Sequence, residues 1–217
     1  MKKLPDGSRR GGFTIVEIMI AMTILAVVGG AITLAVQSSI GVYSTATRVV
    51  DLEDQGRYTL QRIKTLLLAT SQTMINPRPG SPASTNSVDF QRAVGAVGLA
   101  ITWGNLERIQ FQYEPSELND GNDNNGNGLV DEGRLVWIQN VGLASQRQIV
   151  LCKYVRELQQ NETPAAGDEN GNGLTNESGM CFDFSGNNVN MRLTIERFDS
   201  QGVLISRTFQ STITVRN

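Results

Sequence analysis

Two ten-residue segments of this 217-residue chain repeat one pattern of oxygen-bearing side chains. Segment 123–132 reads DNNGNGLVDE and segment 168–177 reads DENGNGLTNE, so both fit D-x-N-x-N-G-L-x-[DN]-E. The pattern places a carboxylate and two amides on alternate residues, ahead of a glycine that permits a sharp turn. Ca²⁺ accepts six to eight such oxygen ligands in a flexible geometry. We therefore predict a calcium site in each segment, with a structural role because neither segment carries a nucleophile and its base.

The candidate ligands are the side chains at positions 1, 3 and 5 of the pattern, the backbone carbonyl at position 7, and the last two side chains. In the first segment, bounded at residues 120–133, they are Asp123, Asn125, Asn127, Leu129, Asp131 and Glu132. In the second segment, bounded at residues 167–178, they are Asp168, Asn170, Asn172, Leu174, Asn176 and Glu177. The second segment has an amide where the first has the Asp131 carboxylate, so we expect it to bind calcium more weakly.

The pattern resembles only the front of an EF-hand calcium loop. At position 12, where an EF-hand has a bidentate glutamate, the two segments have Arg134 and Gly179. We therefore expect weak binding, in the ~0.1–1 mM range of extracellular calcium modules. The alternative interpretation is a pair of turns that hold no ion, because Asn and Gly also dominate ordinary turns.

The only two cysteines of the chain, Cys152 and Cys181, stand on either side of the second segment. In an oxidising compartment they are expected to form a disulfide. Closing about 30 residues would contribute about 3–4 kcal/mol by the chain-entropy model. The alternative is two buried thiols on strands, because both cysteines lie in apolar, strand-like sequence.

Composition excludes several classes of protein. The chain has no histidine, which removes Ser-His-Asp and Cys-His catalysis and every histidine-ligated metal site. Without a paired nucleophile and base, an enzyme is the least favoured class. The net charge is −2, and no basic run is present, which argues against a nucleic-acid partner.

Residues 13–36 form an apolar stretch whose single charge is Glu17. A helix of this length spans a hydrocarbon core of about 30 Å, so we predict a transmembrane helix. The preceding residues 1–12 carry four basic residues and one acidic residue: Lys2, Lys3, Arg9, Arg10 and Asp6. A basic flank marks the cytoplasmic side, which places the C-terminal part of the chain outside the membrane.

The junction of these two stretches, RRGG-FTIVE, resembles the signal of type IV prepilins and type II secretion pseudopilins. The resemblance implies that prepilin peptidase removes the leader 1–12 by cutting after Gly12 and that Phe13 is then N-methylated. It further implies that Glu17 pairs with the free amine of Phe13, in the same chain or a neighbouring one, as the subunit enters a filament.

Beyond the membrane, residues 37–75 continue as an amphipathic helix. Apolar or small residues recur at helical spacing, and charged residues lie between them. The recurring positions are Ile40, Tyr43, Thr47, Val50, Leu60, Ile63 and Leu67. We predict one helix from about residue 13 to about residue 73, before the proline-rich run at 76–80. The stretch 51–70 also resembles the corresponding helix of PilW-type minor pilins.

Residues 76–217 change to the period-two pattern of strands. We expect five to seven strands, the last two in a hairpin over VNMRLTIERF and VLISRTFQSTITV. One face of the antiparallel sheet should rest on the helix, so the fold class is α+β. This agrees with the pilin-like fold that the N-terminal resemblance implies.

Together these features predict a non-enzymatic structural subunit, a PilW-like minor pilin that enters or primes a type IV pilus through its N-terminal helix. The alternatives are a J-like pseudopilin of type II secretion and a membrane-tethered, calcium-dependent tip adhesin. The expected partners are other pilins, prepilin peptidase and the assembly platform of the inner membrane. The expected location is the inner membrane, as a single-pass protein, and then the filament at the cell surface.

Overall fold

The computed structural model describes residues 12–78, 83–164, 167–171, 173–199 and 201–216. Most of the predicted leader and the candidate ligand Asn172 therefore lie outside the described residues. The chain divides into two compact units, Met1–Ser44 and Thr45–Asn217. The second unit contains the later part of the helix together with the strands.

A single helix, α1 (Ile15–Leu67), begins in the first unit. Its apolar early part is long enough to cross a membrane, and no residue in that window is buried within the chain. Every residue from 12 to 40 is exposed. This part of the chain thus has no cover of its own.

In the second unit, α1 buries one face. Its buried residues recur every three or four positions, as one stripe of a helix requires. They are Leu52, Gly56, Thr59, Leu60, Ile63, Leu66 and Leu67. A Cβ on Gly56 would overlap the Phe209 ring, so glycine is needed for this close approach of helix to strand. The predicted apolar face is confirmed at Leu60, Ile63 and Leu67, whereas Val50 is exposed.

The helix ends at Leu67, earlier than the predicted end near residue 73. The chain tightens directly after the helix, because the Thr70 N–H donates to the carbonyl of Leu67, three residues back, rather than to that of Leu66. Ser71 then forms an isolated parallel bridge with Arg216 near the C-terminus, and the Gln72 N–H donates to the Arg216 carbonyl. These tertiary bonds replace helical ones, and a 3-10 turn, Gln72–Met74, follows.

Among the described residues, eleven strands follow, all in the second unit. They are β1 (Ile75–Asn76), β2 (Ala83–Thr85), β3 (Ser87–Phe90), β4 (Ala93–Val97), β5 (Ala100–Trp103), β6 (Glu107–Tyr113), β7 (Gly133–Gln139), β8 (Arg147–Val155), β9 (Met180–Ser185), β10 (Asn188–Phe198) and β11 (Leu204–Thr214). The period-two pattern of the sequence predicts five to seven. The additional strands are β1 to β5, each of two to five residues, which are too short to show a clear period.

The main sheet is antiparallel, with strand order β1-β3-β6-β7-β8-β10-β9-β2 and with β11 paired to β10. A separate hairpin joins β4 and β5. The predicted C-terminal hairpin is confirmed: β10 and β11 pair in register from Asn188↔Thr214 to Phe198↔Leu204. One face of the sheet and the buried stripe of α1 form the core, so the predicted α+β, pilin-like fold is confirmed.

Candidate functional site

At its N-terminus, α1 begins with a capping box formed by Thr14 and Glu17. The Glu17 carboxylate accepts hydrogen bonds from the Thr14 N–H at 2.8 Å and from the Thr14 hydroxyl at 3.1 Å. In return, the Glu17 N–H donates to the Thr14 Oγ1 at 3.2 Å. This reciprocal pattern satisfies two of the free N–H groups at the helix start. The Glu17 carboxylate, the only one of the apolar stretch, is thus held at Thr14, the residue directly after Phe13.

The two repeated segments connect strands of the main sheet. The first lies between β6 and β7, and the second between β8 and β9. Each is closed by one backbone hydrogen bond, and the residues of the second bond stand 45 positions after those of the first. Glu114 donates to the Glu132 carbonyl as Gln159 donates to the Glu177 carbonyl. We call residues 114–132 the first copy and residues 159–177 the second copy.

The backbone conformation of the two copies also agrees at corresponding described residues. Four residues of the first copy have a positive φ that recurs 45 residues later in the second copy. They are Ser116, Gly126, Gly128 and Asp131 in the first copy, and Asn161, Gly171, Gly173 and Asn176 in the second. The values agree closely, for example 92° at Gly128 and 88° at Gly173. The duplication is therefore longer than the ten-residue motif.

Within each copy, the first aspartate organises the turn. Asp123 accepts hydrogen bonds from the N–H groups of Gly126 and Gly128, both at 2.7 Å. In the second copy, Asp168 accepts from the N–H of Gly173 at 2.7 Å. This fold of the backbone around a carboxylate follows from the Asp and Gly positions of the motif.

Each copy contains a buried glutamate that the sequence analysis did not single out. Glu117 and Glu162 stand six residues before Asp123 and Asp168. Glu117 accepts from the N–H of Asn125 at 2.7 Å, and Glu162 accepts from the N–H of Asn170 at 3.2 Å. Writing the repeat as E-x₅-D-x-N-x-N-G would have revealed both residues.

The terminal glutamates of the motif are buried as well, but their partners differ. The Oε1 atom of Glu132 accepts from the side-chain amides of Asn125 and Asn127. Its Oε2 atom has no hydrogen-bond partner among the described residues. By contrast, Glu177 accepts from the Arg192 guanidinium at 2.9 Å, in a nearly buried ion pair.

The other candidate ligands are placed as follows. In the first copy, the Asp131 carboxylate does not join the other candidate ligands but accepts from the N–H groups of Asp120 and Gly121. Leu129 is buried, and its N–H donates to Asn127. In the second copy, the N–H of Asn176 donates to Glu162 at 3.0 Å, and Leu174 follows Gly173 in the loop. Among the described residues, no three Asp, Glu or Cys side chains converge as a metal-binding group. A cation here would need amide and carbonyl oxygens too.

A cleft of about 360 Å³ is lined by residues of both copies, among them Gly128, Asp131 and Glu162. Arg156 and Glu196 also line this cleft and form an ion pair at 3.6 Å. Burial raises the pKa of Glu196; Arg156 opposes this rise, and the negative charge of Glu132 adds to it.

Cys152 and Cys181 are both free and buried, so the predicted disulfide is corrected. Cys152 belongs to the core beneath α1, where Thr59 is a hydrogen-bonding neighbour. Cys181 bonds to Ser84 instead, and its strand neighbours Met180 and Phe182 are the residues that join the core. Because side chains alternate along a strand, Cys181 lies on the opposite face of the sheet from Cys152.

The fold is that of a class of proteins in which a long helix with an exposed apolar N-terminal part is followed by an antiparallel sheet that packs on the later part of the helix. Residues 7–33 match the family described as the prokaryotic N-terminal methylation motif. No curated protein and no solved structure matches the chain. The chain thus carries the N-terminal motif of type IV pilins and pseudopilins, which implies processing by prepilin peptidase and assembly with other pilins in a membrane system.

Proposed function

We propose that this chain is a minor pilin, a non-enzymatic subunit that joins a type IV pilus through its N-terminal helix. The observation that carries the proposal is the continuous exposure of residues 12–40, a segment whose first part belongs to the match to the methylation motif at residues 7–33. Covering one large apolar side chain is worth about 1.5–3 kcal/mol. Lipid supplies this cover before assembly, and the helices of neighbouring subunits supply it in the filament.

Glu17 is the residue on which assembly depends in this proposal. A carboxylate within lipid costs about 2.5–3.5 kcal/mol on insertion scales, so it is retained for a function. The capping box keeps this carboxylate at the start of the helix, beside the residue that becomes the new N-terminus. There it can attract the positive amine of Phe13 in its own chain or in a neighbouring subunit.

The test separates the charge of Glu17 from its capping role. Glu17→Gln keeps an oxygen that accepts from the Thr14 N–H but removes the charge, whereas Thr14→Ala breaks the hydroxyl bonds and keeps the charge. We expect the amount of E17Q in sheared filaments to fall at least about tenfold, the factor that 1.4 kcal/mol represents. Its level in the membrane fraction should be normal, and T14A should assemble.

Comparing E17Q with T14A decides between the charge of Glu17 and its capping role. Normal incorporation of E17Q into filaments would overturn the role of the charge. Loss of assembly in T14A, with E17Q still assembling, would show that the cap matters and the charge does not.

A pseudopilin of type II secretion is the second candidate, because the same motif and the same helix-and-sheet plan suit both systems. We favour the PilW-like minor pilin on the sequence of residues 51–70, and we place the folded domain outside the inner membrane before assembly. A strain without the gene should lose surface filaments while secreted enzymes still leave the cell. Retained filaments with trapped secretion substrates would identify the pseudopilin instead.

A further inference from the structure

We propose that the first copy, residues 114–132, binds one calcium ion, and that in the second copy Arg192 supplies the positive charge in place of an ion. The proposal concerns the folded domain and does not depend on the system in which the protein assembles. It rests on one fully buried glutamate in each copy and on the different partners of these two residues.

Glu132 is the residue that calls for a cation. Its side chain is 0 % exposed, and its Oε2 atom has no hydrogen-bond partner among the described residues. No lysine or arginine in the described part of the chain forms an ion pair with it, and the nearby Arg156 is paired with Glu196. A buried charge without compensation is strongly unfavourable, so a bound cation would stabilise this arrangement.

The residues around Glu132 can supply the remaining oxygen ligands. Glu117 is 6 % exposed and has a second oxygen, Oε2, without a hydrogen-bond partner. Asn125 and Asn127 both direct their side-chain amides at Glu132. Their Oδ1 atoms accept the N–H groups of Asn127 and Leu129, and each oxygen has a second lone pair that a cation can use. With the Asp123 carboxylate and the Leu129 carbonyl, the first copy contains six oxygen donors, the number that calcium needs, and three of them would have to move together on binding, because no three carboxylates converge among the described residues.

The second copy reaches charge balance within the chain. Arg192 stands on β10 opposite Cys181 of β9, and this register brings its guanidinium to the Glu177 carboxylate. The same guanidinium approaches Asp183 at 3.7 Å. Both Glu162 oxygens also accept backbone N–H groups, from Asn170 and Asn176. The charge of Glu177 is thus balanced by a guanidinium that the fold provides, and both Glu162 oxygens are bonded to backbone N–H groups.

The chemistry favours calcium over magnesium. Mg²⁺ requires near-ideal octahedral geometry and gives up its water reluctantly, whereas Ca²⁺ tolerates an irregular set of carboxylate, amide and carbonyl oxygens. Two or three carboxylates with neutral donors correspond to the weaker class of extracellular sites, with Kd in the range of about 10⁻⁴–10⁻³ M.

The experiment is a calcium titration of the full-length chain in detergent, by calorimetry and by thermal melting, with magnesium as the comparison ion. The matched variants are Glu132→Gln in the first copy and Glu177→Gln at the corresponding position of the second. We expect one calcium ion per wild-type chain and a rise in Tm that magnesium does not reproduce. E132Q should weaken binding at least tenfold, and E177Q should bind like the wild type.

A second variant covers the case in which E132Q fails to fold. Asp123→Asn retains an oxygen for the turn, and Asp123 is only half-buried, so this variant should fold and also bind at least tenfold more weakly. No binding by the wild type, two ions per chain, or loss of binding in E177Q but not in E132Q or D123N would each overturn the proposal.

Discussion

The first and second copies have the same backbone but balance their buried charge by different means. Both copies share the closing hydrogen bonds and the positive φ angles at corresponding residues. Yet Glu132 forms no ion pair with a lysine or arginine among the described residues, while Glu177 is paired with Arg192. The difference arises outside the repeat, because Arg192 belongs to the neighbouring strand β10. A duplicated motif thus preserves the conformation of a loop without preserving what the loop must bind.

Removing Arg192 should have the largest effect, because it takes the cation away from the second copy. Breaking one partner of a buried ion pair costs about 3–5 kcal/mol, so Arg192→Gln should lower the calcium-free Tm markedly. Calcium should restore part of the loss by binding at the second copy, and the measured stoichiometry should rise from one to two ions. Urea unfolding with and without calcium, together with calorimetry, measures both effects.

The control for this variant is Arg207→Gln, on the exposed part of β11. It removes the same charge without touching either copy, so its stability should be close to that of the wild type. If R192Q were as stable as R207Q, Arg192 would not be the cation of the second copy.

The glutamates that begin the two copies should differ by a smaller amount. Both oxygens of Glu162 accept N–H groups, so Glu162→Gln loses one charge-assisted bond, worth about 1.5–3 kcal/mol. Glu117 accepts a single N–H, and the remaining oxygen of Glu117→Gln still can. In calcium-free buffer we therefore expect denaturant midpoints to fall for E162Q and to stay near wild type for E117Q.

The gain in stability from calcium should differ between the two variants in the opposite sense. Because Glu117 is a proposed ligand, E117Q should gain less stability from calcium than the wild type, whereas E162Q should gain as much. Equal calcium-free midpoints for the two variants would contradict the different bonding of these glutamates.

The smallest effect concerns the cysteines on either side of the second copy. Because the two cysteines lie on opposite faces of the sheet, no disulfide joins the two ends of the second copy. The side chain that ties this copy to the neighbouring strand is Arg192. Burial raises the pKa of Cys152 to about 12, which keeps it as an unreactive thiol. A thiol assay on the unreduced, denatured chain should count two thiols, and a reductant should leave the Tm of the native protein unchanged. A count of zero would restore the disulfide.

Much of the fold could be predicted from local pattern. The period of Leu60, Ile63 and Leu67 predicted the buried stripe of α1, and the alternation of β10 and β11 predicted the terminal hairpin. The end of α1 could not be predicted, because Ser71 and Gln72 are drawn away by Arg216, far along the chain. The short strands were missed for the same reason: they are formed by their neighbours in the sheet.

On its own, the sequence determined the exposed apolar segment and the conformation of the two copies. Both follow from local chemistry: an unbroken run of apolar residues around Glu17, and Asp and Gly placed where a turn requires them. Only the tertiary structure decided the faces on which the two cysteines lie and which buried glutamate has a cation. Those outcomes depend on strand pairing between distant segments, and the register of β9 with β10 is what brings Arg192 to Glu177 and leaves Glu132 without one.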